Sequence, residues 1–269
     1  MTLGPCRPAP GRLYFRLVSF DVSADAYGRF MGRYSDRLAE PFLDQAEVQA
    51  GQQALDVGCG PGALTARLIE RLGPDAVSAV DPSPSFVDAA RARFPGVDVR
   101  SGVAEHLPFD DDSFDRTLAQ LVVHFMTDPV AGLAEMARVT RPDGIVTACS
   151  WDHAGGTGPL STYWAAVRAM DPGVDDESGL PGTREGHLAE LAQAAGLTQV
   201  ERSRLTVTVH YETFDEWWEP YTLGVGPAGA YVARLDPAQR AELRAGCAKL
   251  LPEAPFDVTA SAWCVRARV

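Results

Sequence analysis

The segment Ala54-Leu55-Asp56-Val57-Gly58-Cys59-Gly60-Pro61-Gly62-Ala63-Leu64-Thr65 constrains the fold of this chain more than any other. A short apolar run leads into three glycines at every second position, and Leu64, Leu68 and Leu72 then recur at helical spacing. A buried strand, a sharp turn and a helix are expected in direct succession, with Gly73 as the helix's C-terminal cap. Glycines accept the backbone angles such a turn demands and let a ligand reach main-chain atoms that a Cβ would shield. Proline suits a first helical position, where the N–H has no partner anyway, so Pro61 and Gly62 mark the expected helix start. A turn of this design holds a nucleotide-like cofactor.

Two cofactors compete for it. Gly58-Cys59-Gly60-Pro61-Gly62-Ala63 satisfies G-x-G-x-x-[GA], and an acid follows about 20 residues later, as at dinucleotide sites. Asp56 weighs against that reading, because a dinucleotide brings an anionic pyrophosphate to this turn. A cofactor with an ammonium and a sulfonium would be attracted instead. Val77-Ser78-Ala79-Val80-Asp81 reads as a second strand ending in a carboxylate, whose two oxygens suit the hydroxyls of a cis-diol. Ser83-Pro84 then supplies a cap and a first helical proline.

Further motifs follow in order: Gly102-Val103-Ala104-Glu105-His106-Leu107-Pro108-Phe109, Asp112-Ser113-Phe114-Asp115 and Arg138-Val139-Thr140-Arg141-Pro142-Asp143-Gly144. With the glycine turn, they resemble the motifs of class I S-adenosylmethionine-dependent methyltransferases, of the type 11 small-molecule group. The resemblance spans residues 54–150 and implies a Rossmann-like α/β fold. That fold has seven mostly parallel strands, the last antiparallel, helices on both faces and a helical or loop substrate cap. It implies that Gly58, Gly60 and the Cys59 backbone cradle the methionine half and ribose, with Asp56 near the methionine ammonium and Gln120 lining that end. Asp81 would grip the ribose, Pro82 pack on adenine, and Ala104 and Glu105 border the adenine ring. Val103 departs from the pattern, since relatives carry an acid there for the adenine amino group. The run Tyr27-Gly28-Arg29-Phe30-Met31-Gly32-Arg33-Tyr34 resembles the family's helical lid. Tyr27 or Arg33 would reach the cofactor from it, Arg33 through a bidentate contact with the methionine carboxylate.

Alternation of period two and about 3.6 supports the α/β reading. Arg33 to Gln49 reads as a helix, Asp128-Pro129 and Asp236-Pro237 each open one, and residues 205–209 and 256–269 alternate as strands. Residues 21–269 are expected to form one domain, with a core at 50–150 and insertions at about 151–184 and 212–236. These insertions would cap the substrate, with Trp151, Trp217, Trp218 and Tyr221 facing it or packing the cap onto the domain. Residues 1–20, with Pro5, Pro8, Pro10 and three arginines, read as a loosely ordered leader.

A net charge of −12 argues against nucleic acid, whose binding depends on neutralising phosphates, and leaves a small molecule as the expected acceptor. No apolar run approaches the roughly 20 residues of a membrane span. Five widely spaced cysteines fit reduced thiols in the cytoplasm and offer no zinc spacing, so no metal is expected. Cys59 has no base beside it to activate its thiol.

The expected reaction is in-line methyl transfer, which asks the protein for alignment and water exclusion. An oxygen or nitrogen nucleophile can also need a base. His124, just past Gln120, and His153, in Ser150-Trp151-Asp152-His153, are the candidates, although the local sequence gives His124 no partner. His106 and His210 read as structural. The alternative is a non-catalytic protein that binds S-adenosylmethionine or S-adenosylhomocysteine for regulation. A nicotinamide oxidoreductase is third, disfavoured by Asp56.

Overall fold

The computed structural model describes residues 24–269, so the expected leader over residues 1–20 lies outside the described residues. Seven strands form one sheet: β1 Ala54–Val57, β2 Val77–Asp81, β3 Asp98–Ser101, β4 Phe114–Gln120, β5 Thr140–Trp151, β6 Thr198–Tyr211 and β7 Phe256–Arg268. Their order is β3-β2-β1-β4-β5-β7-β6. β1 through β5 pair in parallel, whereas β7 runs antiparallel to both β5 and β6. All four residues of β1 are buried, as expected of a central strand covered on both faces. From Leu205 onward β6 alternates buried and exposed positions, as an edge strand covered on one face does.

Two apolar layers enclose the sheet. One gathers Leu38, Phe42 and Leu43 of helix Arg33–Gln45 with Leu64 and Leu68 of helix Ala63–Leu72. The other gathers Leu133, Met136 and Val139 of helix Pro129–Val139 with Leu188 and Ala192 of helix His187–Ala194. Capping follows local chemistry. The Asp128 carboxylate accepts from the Val130 and Ala131 amides, and Asp236 forms a reciprocal capping box with Gln239. Gly73 closes its helix by donating to the Ile69 carbonyl.

Three details differ from expectation, the first being that the helix from Arg33 ends at Gln45 instead of Gln49. The helix after the glycine turn starts at Ala63, with Gly62 in the left-handed region at φ 91°, so Pro61 belongs to the turn. Ser83 makes no side-chain cap; its amide is held by Asp81 instead.

The first insertion contributes helix Ser161–Met170, and the second contributes helices Phe214–Trp218 and Gly226–Arg234. Helix Ala24–Tyr27 and a wide π-helical turn Gly28–Gly32 precede helix Arg33–Gln45. That helix starts at the carboxyl end of β4, where Gln120 donates to the Ser35 carbonyl, and crosses the sheet face to near its amino end, where Arg116 donates to the Ala46 carbonyl.

Candidate functional site

The glycine turn is stitched to β2. Gly58 and Cys59 both donate to the Val80 carbonyl, at 2.7 and 3.1 Å. One residue on, the buried Asp81 carboxylate accepts from the Gly60 amide through Oδ2 and from the Ser83 amide through Oδ1, each at 2.8 Å. Each oxygen keeps a further lone pair, so the carboxylate is aimed without being saturated. Burial raises its pKa, and the two amides pull it back.

The three glycines serve different ends. A Cβ on Gly58 would lie 2.5 Å from Val122, and one on Gly62 would lie 2.3 Å from Phe94. A Cβ on Gly60 would meet nothing within 4 Å. Gly60 therefore borders open space, whereas the other two are required by packing. Leu121, at φ 63°, makes the sharp left-handed bend after β4 that brings Val122 against Gly58.

Asp56 lies beneath the turn, fully buried, and accepts from the Thr65 hydroxyl at 2.6 Å. Burial pushes its pKa up to about 7; the Thr65 bond lowers it and the charge of Asp81 raises it. Gln120 ends the neighbouring strand, two residues beyond Leu118, the register partner of Asp56. Its amide nitrogen donates to the Ser35 carbonyl at 3.0 Å, but its buried Oε1 has no partner. A buried orphan acceptor costs about 1–3 kcal/mol, so a donor belongs there. The Cys59 thiol is buried and directed at the Gly60 carbonyl, and burial pushes its pKa far above the ordinary thiol range. That leaves only the backbone for a ligand to use.

The lid segment closes over this turn. The Tyr27 ring meets Phe86 edge-on at 5.5 Å, with its hydroxyl withdrawn from solvent beside Ser35 and its pKa pushed up to about 12 by burial. Tyr27, Gly28, Ser35, Pro61, Ala63 and Arg93 line a cavity of about 310 Å³ between lid and turn. Arg33 is not there. It donates to Glu216 at 2.6 Å and lies over the Tyr211 ring at 4.5 Å, facing a second cleft of about 560 Å³ between lid and cap. Its expected contact with the methionine carboxylate is corrected by this ion pair: the cap offers a carboxylate on the side to which the helix turns Arg33. Arg29 pairs likewise with Glu219 at 2.9 Å.

On the adenine side, Pro82 is exposed and Ala104 buried, its amide nitrogen on the loop between β3 and β4. Val103 stands 47 % exposed, at the position where the resemblance leads one to expect an acid. Glu105 does not substitute for that acid. Its Oε1 accepts from the Thr127 and Asp128 amides at 2.6 and 3.1 Å, which ties the loop to the start of helix Pro129–Val139.

The candidate bases come together but are sealed. His124 and His153 have ring centroids 6.1 Å apart, and both are buried. Burial, and secondarily His153, lowers His124 to about 3; its Nδ1 lies 3.4 Å from the Ser150 hydroxyl. Burial also lowers His153, against the pull of Glu177, Asp176 and Asp152. Burial thus lowers both, and at about 3 His124 is corrected from a ready general base. The expected aromatic clamp is likewise filled by itself. Trp217, Trp218 and Tyr221 are buried, Tyr221 stacks on Tyr163 at 4.5 Å, and Trp217 leans on Tyr221 at 4.8 Å. Trp151 is buried edge-on to Tyr34, and its indole Nε1 has no partner.

Sequence reasoning missed Thr65, Ser35, Phe86 and Val122. Thr65 lay within the quoted motif, and a hydroxyl one turn into the helix was the available signal; the other three carry none. Among the described residues, no group of three or more His, Cys, Asp or Glu is placed to hold a metal, and no helix is long and apolar enough to cross a membrane.

Comparison with known proteins bears on the family and the fold. A family model described as a methyltransferase domain matches residues 55–148. An uncharacterized methyltransferase of Mycobacterium bovis is 39 % identical over 127 residues, covering 47 % of this chain and 49 % of that protein. The chain thus spans about half the length of the mycobacterial relatives it matches. A demethylmenaquinone methyltransferase of Renibacterium salmoninarum is 30 % identical over 177 residues, covering 65 % of this chain and 72 % of that protein. The crystal structure of YcgJ from Bacillus subtilis superposes with a TM-score of 0.56 at 18 % identity, covering 87 % of this chain and 97 % of that one, a likeness of fold.

Proposed function

This chain belongs to the class I S-adenosylmethionine-dependent methyltransferases, and from that premise we propose that it methylates a small-molecule acceptor by in-line displacement. S-adenosylmethionine is the cofactor, and the residues present fit it. The orphaned Gln120 Oε1 supports this most directly, because a buried acceptor without a donor suits an ammonium. Gly60 borders open space, and Asp81 keeps lone pairs free beside it.

When bound, the cofactor supplies an already activated methyl group, so the protein's task is alignment and water exclusion. Asp81 would hold the ribose hydroxyls, Gly60 would let the cofactor approach the turn, and Asp56 with Gln120 would favour the positive end of the methionine. Tyr27 and Ser35 would close the cavity from the lid. Pro82, the Ala104 amide and exposed Val103 would border adenine. The name of the Renibacterium relative, a demethylmenaquinone methyltransferase, supports a small organic acceptor.

A second reading has its own observation. The cap interior is packed with its own aromatics and both candidate histidines are sealed, as a non-catalytic binder of the cofactor or its demethylated product would allow. The two readings part on turnover. Purified protein incubated with S-adenosylmethionine and pooled metabolites is expected to release S-adenosylhomocysteine. Tight binding of S-adenosylhomocysteine with no release across the pools favours the second reading, and binding of NAD alone by calorimetry would sink both.

Asp56 predicts a pH dependence. Its pKa of about 7 in the free protein means that a cation bound nearby must expel a proton at lower pH. S-adenosylmethionine affinity should therefore rise between pH 6 and 8 and level off above, with proton release visible when calorimetry is repeated in buffers of different ionisation heat. The linked stability runs the other way. A carboxyl raised in the folded state contributes stability present in full below about pH 4, its unfolded range, and lost as pH rises through 7. Asp56→Asn should flatten the binding profile and raise the urea midpoint of the free protein at pH 8. An unchanged profile removes Asp56 from the site.

A further inference from the structure

We infer that the indole N–H of Trp151 holds the methyl acceptor, by donating to a lone pair on an oxygen or ring nitrogen of a flat, uncharged molecule; this rests on the methyl-transfer reading above. Trp151 closes β5 at the carboxyl end of the sheet and is 2 % exposed, yet its Nε1 has no partner. Proteins keep few such donors, because each forfeits its hydration without return. Trp164 shows the usual solution, donating to Glu177 at 2.8 Å. Trp263 is also orphaned, but it lies under Arg204 on β7, away from the lid.

The surroundings of Trp151 separate it from an ordinary buried indole. One helical turn of the lid roofs it, and that turn faces both open spaces. Arg33 lines the cleft between lid and cap, and Ser35 lines the cavity beside the glycine turn. Between them, the Tyr34 ring stands edge-on to Trp151 at 6.1 Å. Under the same turn, Gln120 donates to the Ser35 carbonyl and leaves its own Oε1 unpartnered. A buried orphan acceptor and a buried orphan donor thus sit on adjacent strand ends beneath one roof. The acceptor atom suits the cation of the cofactor; the donor needs a lone pair from a second molecule.

The nearest neighbours narrow that molecule. Tyr34 stands against Trp151, and the Tyr211 hydroxyl donates to that of Tyr34 at 2.9 Å, so the surroundings of the indole N–H are aromatic and favour a flat ring. The arginines on the approach are already matched, Arg33 with Glu216 and Arg29 with Glu219. An anionic acceptor would lose its hydration and meet, in Arg29 and Arg33, cations already paired, which favours a neutral ring.

The test uses wild-type and Trp151→Phe protein, each saturated with S-adenosylhomocysteine, and three probes: 2-naphthol, naphthalene and 2-naphthoate. By calorimetry, wild-type protein should bind 2-naphthol more tightly than naphthalene, and 2-naphthoate no better than naphthalene. Trp151→Phe should weaken 2-naphthol about tenfold, the worth of one hydrogen bond, and leave naphthalene within twofold. If the variant fails to fold, the indole 15N–1H signal of Trp151 in wild-type protein decides: it should move downfield with 2-naphthol and stay with naphthalene. Equal losses for both probes, no binding of 2-naphthol, or an unmoved indole signal overturns the inference. A tenfold loss of S-adenosylhomocysteine affinity in the variant overturns it too, by assigning the N–H to the methionine carboxylate. Failure of wild-type protein to bind S-adenosylhomocysteine at all would strike the methyl-transfer reading itself.

Discussion

Replacing Asp81 with Ala is expected to weaken S-adenosylhomocysteine binding at least a hundredfold. The carboxylate carries two duties at once. It accepts from the Gly60 and Ser83 amides, which fixes the glycine turn against the start of helix Pro84–Arg93, and it keeps free lone pairs facing the open space beside Gly60. Hydrogen bonds to a charged group are worth about 1.5–3 kcal/mol each, so losing two contacts to a diol removes about 3–6 kcal/mol. The stranded amides add a stability cost, which a urea melt would show as a lower midpoint. Asp81→Asn separates the duties, since one side-chain oxygen can still accept an amide while the charge is gone. Its melt should lie nearer wild type, with affinity still reduced tenfold or more. An Asp81→Ala protein that is folded and binds within threefold of wild type removes Asp81 from the ribose role.

The site's frame was legible in the sequence because its determinants are local. Each strand of the β1–β2 pair ends with a carboxylate on or one residue before its last residue, and both acids and the glycines lie within 26 residues of one another. Proline and aspartate at Asp128-Pro129 and Asp236-Pro237 announce helix starts through bonds spanning three residues or fewer. What sequence did not show depends on distant partners. Arg33 turns to the cap because Glu216 stands 183 residues away, and Glu105 is drawn from adenine by amides 22 and 23 residues on. The cap aromatics illustrate a different limit. Trp217, Trp218 and Tyr221 satisfy the same composition whether they line a cleft or fill it, and only Tyr163 and Phe30 packing from other segments decides for filling. Histidine 124 is a third kind: its apolar neighbours forecast burial, yet burial is what removes it from the range of a base.

The glycines of the turn should divide cleanly between stability and binding. Gly58→Ala adds a Cβ 2.5 Å from one Val122 methyl and 2.6 Å from the other, at a residue whose φ of 70° alanine disfavours. The left-handed conformation costs about 1–2 kcal/mol and overpacking against a fixed neighbour about 1–3 more. The sum, about 2–5 kcal/mol, is a large share of a domain's usual stability of about 5–15 kcal/mol. Because Leu121 already holds a left-handed bend, Val122 has little freedom to retreat. The urea midpoint should therefore fall steeply, and Gly58→Ala/Val122→Ala should recover the steric part but not the backbone part. Gly60→Ala should behave oppositely. Its φ of 53° costs about 1–2 kcal/mol, but its Cβ meets no protein atom within 4 Å and projects where the cofactor must come. Its melt should change modestly while S-adenosylhomocysteine affinity drops tenfold or more. A Gly60→Ala protein with intact affinity would show that the cofactor does not approach the turn at this residue. A Gly58→Ala protein with an unmoved midpoint would show that the Val122 contact yields, and that packing is not what reserves the position for glycine.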